Sequence, residues 1–252
     1  ALQPMDKETF IQLVTADQHE APSYFSYDAE MNTRERPTLE QSLGEGLVAL
    51  SLTETLARRD AGAQLLDIRE GDDFAGAHLV GSINIDLDGK FASLAGALLA
   101  HDRPIVLIGS PGSQQEATMR LGRIGFDNVV GYLADGMMAL AASPHLVGRV
   151  ERITALTLHE QRQEGVPICI VDVRSAGERE GGHIADSIHL PLPQMLRQLD
   201  ALPRDRTIIV HCAGGYRSAV AASLLLLHGF AQVMDLVGGI AAWDAAGLQT
   251  SV

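Results

Sequence analysis

The sequence predicts an α/β protein of two tandem domains, each a mostly parallel sheet with helices on both faces. Three observations predict this: an internal repeat of domain length, an alternation of short β-rich runs with helix-like segments inside each repeat, and a composition able to fill two cores.

The repeat sets the architecture. Leu65-Leu66-Asp67-Ile68-Arg69 is echoed by Ile170-Val171-Asp172-Val173-Arg174, and Asp67, Arg69, His78 and Ile83 each find a partner at an offset of 105. Ile105–Ile108 matches Ile208–His211, and Gly125-Phe126 and Asp135-Gly136 recur in order as Gly229-Phe230 and Gly238-Gly239. A unit of about 100 residues is too long for a solenoid repeat and suits a domain. The expected division is a connector over residues 1–45, a first domain over 46–147 and a second over 148–252.

Within the second unit, Ile168 to Val173 and Thr207 to His211 are continuous apolar runs, as expected for strands buried on both faces. Helix-like patterns cover Leu192 to Leu199 and Ser218 to His228, the latter rich in Ala and Leu and stopped by Gly229. Strand and helix alternating in this way predict a parallel α/β sheet. In the connector, Met5 to Ala16 suits a short helix and Pro22 to Pro37 an irregular segment. A chain that opens at Ala1, without a methionine, is expected to be the tail of something larger or a trimmed form.

Hydrophobic residues make up 46% of the 252 and charged residues 20%, the balance of a globular protein with a real core. The net charge of −13, with only Lys7 and Lys90 as lysines, argues against a nucleic-acid partner, because neutralising phosphates takes clustered Lys and Arg. Ala219 to Leu227 is too short an apolar run to span a bilayer, so no membrane association is expected. No secretory leader is visible, which gives the cytoplasm as the expected location. The two cysteines and nine histidines form no metal-binding spacing, so neither metal nor other cofactor is expected. Cys169 sits in an apolar run, where a buried, inert thiol is the default.

The chemistry concentrates in His211-Cys212-Ala213-Gly214-Gly215-Tyr216-Arg217-Ser218. A cysteine ends a buried strand, a tight loop follows, and a helix begins near Ser218. Loop amides turned toward the sulfur and the positive end of the helix favour a thiolate, so Cys212 is expected to titrate below the free value of about 8.5. Gly214 and Gly215 let the backbone approach closely, and Arg217 offers a planar fork for anionic oxygens. Asp172 and Arg174 look like organisers of the loop, His183 and His78 like structural histidines, and His211 is expected to point away from the loop. Trp243 suits a core anchor.

On Val171-Asp172-Val173-Arg174, Gly182-His183-Ile184, Cys212 to Ser218 and Gly238-Gly239-Ile240-Ala241-Ala242-Trp243, the second unit resembles the rhodanese family. The resemblance implies rhodanese-like domains and a sulfurtransferase of the thiosulfate sulfurtransferase type. Cys212 would take a sulfane sulfur from thiosulfate or a persulfide, hold it as a persulfide and pass it to a thiol acceptor. Ala213, Gly214, Gly215, Tyr216, Arg217 and Ser218 would bind the donor and stabilise that persulfide.

The first unit keeps Asp67, Arg69 and His78 but reads Gly109-Ser110-Pro111-Gly112-Ser113-Gln114-Gln115 where the second reads Cys212 to Ser218. It has no cysteine, and Ser110 has no neighbouring base in the pattern, so an inactive scaffold with a loop over Gly109 to Gln115 is expected. The layout of connector, inactive unit and active unit is similar to the C-terminal part of fusions with a metallo-β-lactamase-fold persulfide dioxygenase, a possible partner domain. The HxHxDH motif of that enzyme does not occur here, so iron oxidation chemistry is not assigned to this chain.

Two further functions compete. A cysteine-loop phosphatase or arsenate reductase needs five residues between cysteine and arginine to wrap a tetrahedral oxyanion, whereas Cys212 and Arg217 have four between them. A sulfur carrier or docking module with little turnover would use the same loop, with the first unit as its binding face.

Overall fold

The computed structural model describes residues 5–15, 33 and 47–251. The connector expected over 1–45, including Pro22–Pro37, lies outside them except at those positions. Helix α1 spans Lys7–Thr15, close to the expected Met5 to Ala16, and is capped by Asp6, which accepts from the Thr9 backbone N–H at 2.8 Å.

The remaining described residues build two five-stranded sheets of one topology. The first contains β1 (Ala49–Leu50), β2 (Gln64–Asp67), β4 (Ser82–Asn84), β5 (Ile105–Ile108) and β6 (Val129–Leu133), in the order β1-β6-β5-β2-β4. The second contains β8 (Glu151–Ile153), β9 (Ile168–Asp172), β10 (Ile188–His189), β11 (Thr207–His211) and β12 (Val233–Leu236), in the order β8-β12-β11-β9-β10. Every pairing in both is parallel. A small antiparallel ribbon joins β3 (His78–Leu79) to β7 (Val147–Gly148).

Side chains alternate across each strand, so each sheet feeds two cores. In the first sheet Leu65, Val106 and Ile108 face one way, against Leu52 and Leu56 of α2 (Leu52–Asp60). In the second, Ile170 and Ile209 face Leu158 of α6 (Ala155–Gln163) and Trp243 of α9 (Gly239–Ala245). The opposite faces share one core: Leu66, Ile83 and Leu107 of one sheet join Cys169, Val171, Ile208 and Val210 of the other. Phe91 of α4 (Phe91–Leu98), Leu121 of α5 (Ser113–Arg123) and the body of α8 (Tyr216–Leu227) complete it.

The repeat holds at the level of single hydrogen bonds. Asp67 and Asp172 each end the strand next to the sheet centre and each grips the arginine two residues on, Arg69 or Arg174, through both carboxylate oxygens. Those arginines also donate to carbonyls of Ala77 (2.9 Å) and Gly182 (2.8 Å), again 105 positions apart. The Asp172–Arg174 pair, expected to organise the loop after Cys212, instead ties the end of its strand to the Gly182 carbonyl. His78 stacks on Phe74 of α3 (Gly71–Gly76) with centroids 4.0 Å apart, and Trp243 is buried with its N–H donating to Gln249 O at 3.1 Å.

Four expectations need adjustment. Strand β9 stops at Asp172, because Val173 follows the carboxylate that must turn inward to hold Arg174. Leu192 to Leu199 is not an α-helix but two 3₁₀ turns, Leu192–Arg197 and Leu199–Ala201, closed by i→i−3 bonds such as Gln194 N–H to Pro191 O at 2.8 Å. Helix α8 begins at Tyr216, two residues before Ser218, because Gly215 at φ 117° makes the turn by itself. The first unit's loop ends at Gly112, and Ser113 to Gln115 already belong to α5.

Helix α8 also closes an open edge. Strand β4 borders the first sheet, and the Asn84 backbone N–H on that strand donates to Ser223 Oγ of α8 at 3.0 Å. Both residues are buried, so Ser223→Ala leaves an amide without an acceptor, at a cost of about 1–3 kcal/mol. Urea denaturation of the intact chain should show this loss; a change within a few tenths of a kcal/mol would mean the bond carries nothing.

Candidate active site

Cys212 follows directly on β11, the middle strand of its sheet, and is 1% exposed. The Gly215 N–H donates to its Sγ at 3.1 Å, and Ser218 Oγ lies 3.6 Å from the same sulfur while donating to Gly215 O at 2.9 Å. The twelve-residue α8 starts at the next position, Tyr216, with its positive end toward the loop. From behind, the Cys212 and Ala213 carbonyls accept from the N–H groups of Ile240 (2.9 Å) and Ala241 (3.1 Å). Gly239 is what permits this: a Cβ there would stand 2.4 Å from Cys212 O. Gly239, matched by Gly136 in the first unit, thus marks a close backbone contact beneath the cysteine.

The loop residues named from sequence come together around this sulfur, with different tasks. Gly214 is exposed at the rim. Tyr216 leaves the second unit and donates its hydroxyl to Asp86 O at 3.1 Å; burial pushes its phenol up to about 12. Arg217 departs from the expected free fork. Its two terminal nitrogens each donate to an oxygen of Glu178 at 2.6 Å. That pairing with Arg217 holds the Glu178 carboxyl down at about 2, and the guanidinium is in turn held in its charged form by Glu178 and by the nearby Cys212.

Sequence reasoning missed Glu178. The available signal was Ser175-x-x-Glu178, a capping box at the start of α7 (Ala176–Glu180), just after the Asp172–Arg174 pair. The box is formed: Glu178 accepts from Ser175 N–H at 3.1 Å. Pattern alone could not show that the same carboxylate meets an arginine 39 positions away.

His211 is fully buried, with Nε2 3.8 Å from Asp172 Oδ2 and Nδ1 3.4 Å from Cys212 O. Burial pushes its pKa down, so the ring is neutral at neutral pH and engaged away from Sγ. Burial pushes the Cys169 thiol up, in keeping with an inert role.

The first unit's loop has the same length and is closed. Gly109 stands where Cys212 stands, and Gly112 (φ 91°) where Gly215 stands. A Cβ on Gly109 would meet Ser113 Oγ at 2.6 Å and Ile68 Cγ1 at 2.7 Å. Gln114, in Arg217's place, folds back to accept from Gly112 N–H at 3.0 Å. Yet this unit is not remote from the chemistry: its Glu70–Asp72 and Asn84–Asp88 segments form the opposite wall of a cavity whose near wall is Gly214, Gly215 and Tyr216. No helix among the described residues is long and apolar enough to cross a membrane.

The chain has recognisable relatives among known proteins. The family model of the rhodanese-like domain matches twice, over residues 51–143 and 154–246. A sulfurtransferase of Allochromatium vinosum is 31% identical over 99 residues, 39% of this chain and 92% of that protein. The thiosulfate sulfurtransferase GlpE of Coxiella burnetii is 32% identical over 78 residues, 31% of this chain and 73% of that protein. Among solved structures, a thiosulfate sulfurtransferase of Pseudomonas aeruginosa matches at a TM-score of 0.39 and 23% identity, covering 81% of this chain and 43% of that one. The chain belongs to the rhodanese-like domain family, a family that includes sulfurtransferases, and carries two copies of the domain.

Proposed function

We propose that the chain is a sulfurtransferase that carries sulfane sulfur as a persulfide on Cys212, taken from thiosulfate or another persulfide and handed to a thiol acceptor. The observation that carries this reading is the sulfur of a strand-end cysteine held by a loop amide at 3.1 Å, beside a fixed guanidinium. Four residues between Cys212 and Arg217 leave room for one extra sulfur rather than a tetrahedral oxyanion.

In the loading step the Cys212 thiolate attacks the outer sulfur of thiosulfate. The S–S bond of the donor breaks, and sulfite leaves with the electron pair. An acceptor thiolate then attacks the sulfane sulfur, its bond to Cys212 Sγ breaks, and the thiolate returns. No proton has to leave the nucleophile during attack on sulfur, so a neutral, buried His211 fits a mechanism without a general base. The Gly215 N–H supports the sulfur, and the N–H groups of Arg217 left over by Glu178 bind donor oxygens. We place the reaction in the cytoplasm, a reading supported by two free, buried cysteines.

Mass spectrometry of the intact chain after thiosulfate should show one added sulfur atom, lost in Cys212→Ser and kept in Cys169→Ser. Transfer to cyanide should follow the same pattern, and turnover surviving in Cys212→Ser would sink the assignment. Loading without turnover would instead make the chain a carrier.

Arg217→Ala removes a charge-assisted contact worth about 1.5–3 kcal/mol, so kcat/KM for thiosulfate should fall about tenfold to a hundredfold. Arg217→Lys should not restore it, because the planar fork is lost. Equal rates for the wild type and Arg217→Ala would remove the arginine from the mechanism.

Because the Glu178 carboxyl is depressed in the folded chain, its contribution to stability is complete above the ordinary value of 4.5 and lost as the pH falls toward about 2. The stability difference between the wild type and Glu178→Gln should therefore be full at neutral pH and vanish across that window. A difference that persists at the acid end would mean the pairing with Arg217 is not its source.

A further inference from the structure

We propose that the crevice between the two units, beside the Cys212 loop, binds the ammonium or guanidinium group of a cationic thiol acceptor. The proposal rests on Cys212 being the sulfur carrier and adds the class of acceptor. The crevice is a cavity of about 270 Å³, with Glu70, Asp72, Asp86 and Asp88 on the first unit's side and Asp235 and Arg152 on the second's. Five carboxylates thus face one guanidinium, and Arg152 is already bound to Asp72 at 3.0 Å.

Asp235 gives the crevice its need for a ligand. It lies on β12, is 5% exposed, lines the cavity, and its Oδ1 has no hydrogen-bond partner. A buried acceptor without a donor is costly, and an incoming N–H group would relieve it. Burial pushes this carboxyl up to about 6, against the opposing pull of the Ser218 hydroxyl and Arg152, so at neutral pH it still presents mostly negative charge. A metal ion does not answer the need, since among the described residues no three carboxylate, His or Cys groups converge closely enough to hold one. The carboxylates are spread along the crevice, which suits an organic cation. The volume falls below the ~300 Å³ lower end for drug-sized ligands, so the occupant is a small aminothiol or the head of one basic side chain.

Position links the crevice to transfer. Gly215 lines it and also donates its N–H to Cys212 Sγ, so a cation held there stands one loop's thickness from the sulfur. A clustered negative field concentrates cations and repels anions near the loop. The same field works against anionic thiols and leaves neutral ones indifferent.

The test loads the full chain with thiosulfate and measures transfer to cysteamine, mercaptoethanol and mercaptopropionate, which are cationic, neutral and anionic. In the double variant Glu70→Gln, Asp88→Asn, both residues exposed, transfer to cysteamine should fall about three- to tenfold, with mercaptoethanol unchanged and mercaptopropionate faster. Asp235→Asn should act in the same direction, and ethylenediamine should inhibit transfer to cysteamine while sparing mercaptoethanol. A cysteine peptide flanked by arginines serves as a second cationic arm: a faster rate than cysteamine points to a protein acceptor, a slower one to a small aminothiol. Equal responses of all three small thiols to the carboxylate changes, with cyanide transfer intact, would overturn the cationic acceptor alone. Turnover in Cys212→Ser would overturn the reading beneath it.

Discussion

Helix α8 has to satisfy two sheets at once. Its first turn begins at the active loop, so its positive end is directed at Cys212, while Val220, Ala221, Leu224 and Leu225 fill the core shared by both units. Its Ser223 caps an edge amide of the first sheet and its Tyr216 reaches Asp86. The position of the loop is therefore tied to the neighbouring unit as firmly as to its own sheet. A helix buried nearly all round must be apolar nearly all round, and the Ala- and Leu-rich stretch after Arg217 answers that demand.

This dependence gives the first unit a physical role whether or not it carries chemistry. Its own loop is shut by Ile68 and Ser113 packed against Gly109, and the second unit has the smaller Val173 where Ile68 stands. Once a side chain occupies the space a thiol would need, restoring a cysteine alone rebuilds nothing, because the surrounding atoms have no room to give. What the unit retains is the half that matters to its neighbour: a face for α8 and a wall for the crevice. The Asp67–Arg69 pair persists in it because it holds the strand end together, a task independent of sulfur.

Much of this was legible in the sequence because it depends on short-range pattern. The offset of 105 fixes equivalent strands, and continuous apolar runs such as Ile105–Ile108 report strands buried on both faces. Cys212, the glycines behind it and Arg217 are readable as a loop because they are contiguous. Glu178 and the acids at positions 70–88 were not readable, since their meeting with the loop depends on how α7 and the first unit pack. The Leu192–Arg197 segment misled because its apolar spacing suits an α-helix, whereas the chain closes there in i→i−3 turns such as Gln194 N–H to Pro191 O. Strand ends and helix starts shifted by one or two residues wherever a glycine at positive φ or a carboxylate in a side-chain bond ended the pattern early.

The electrostatic arrangement around the sulfur then has two sides with opposite sense. On one, Arg217 brings a positive charge to the loop, and Glu178 holds it in a fixed orientation while cancelling much of its reach. On the other, the crevice carboxylates stand without comparable cancellation, apart from Arg152. A donor oxygen gains from the guanidinium only at hydrogen-bond distance, whereas the carboxylates act over several ångströms, within the screening length of the solvent. Short-range contact would thus select how a donor docks, and the longer-range field which acceptor arrives. On the proposed reading, sulfur transfer needs both partners at one atom in turn, and two faces of opposite charge would keep their approaches apart.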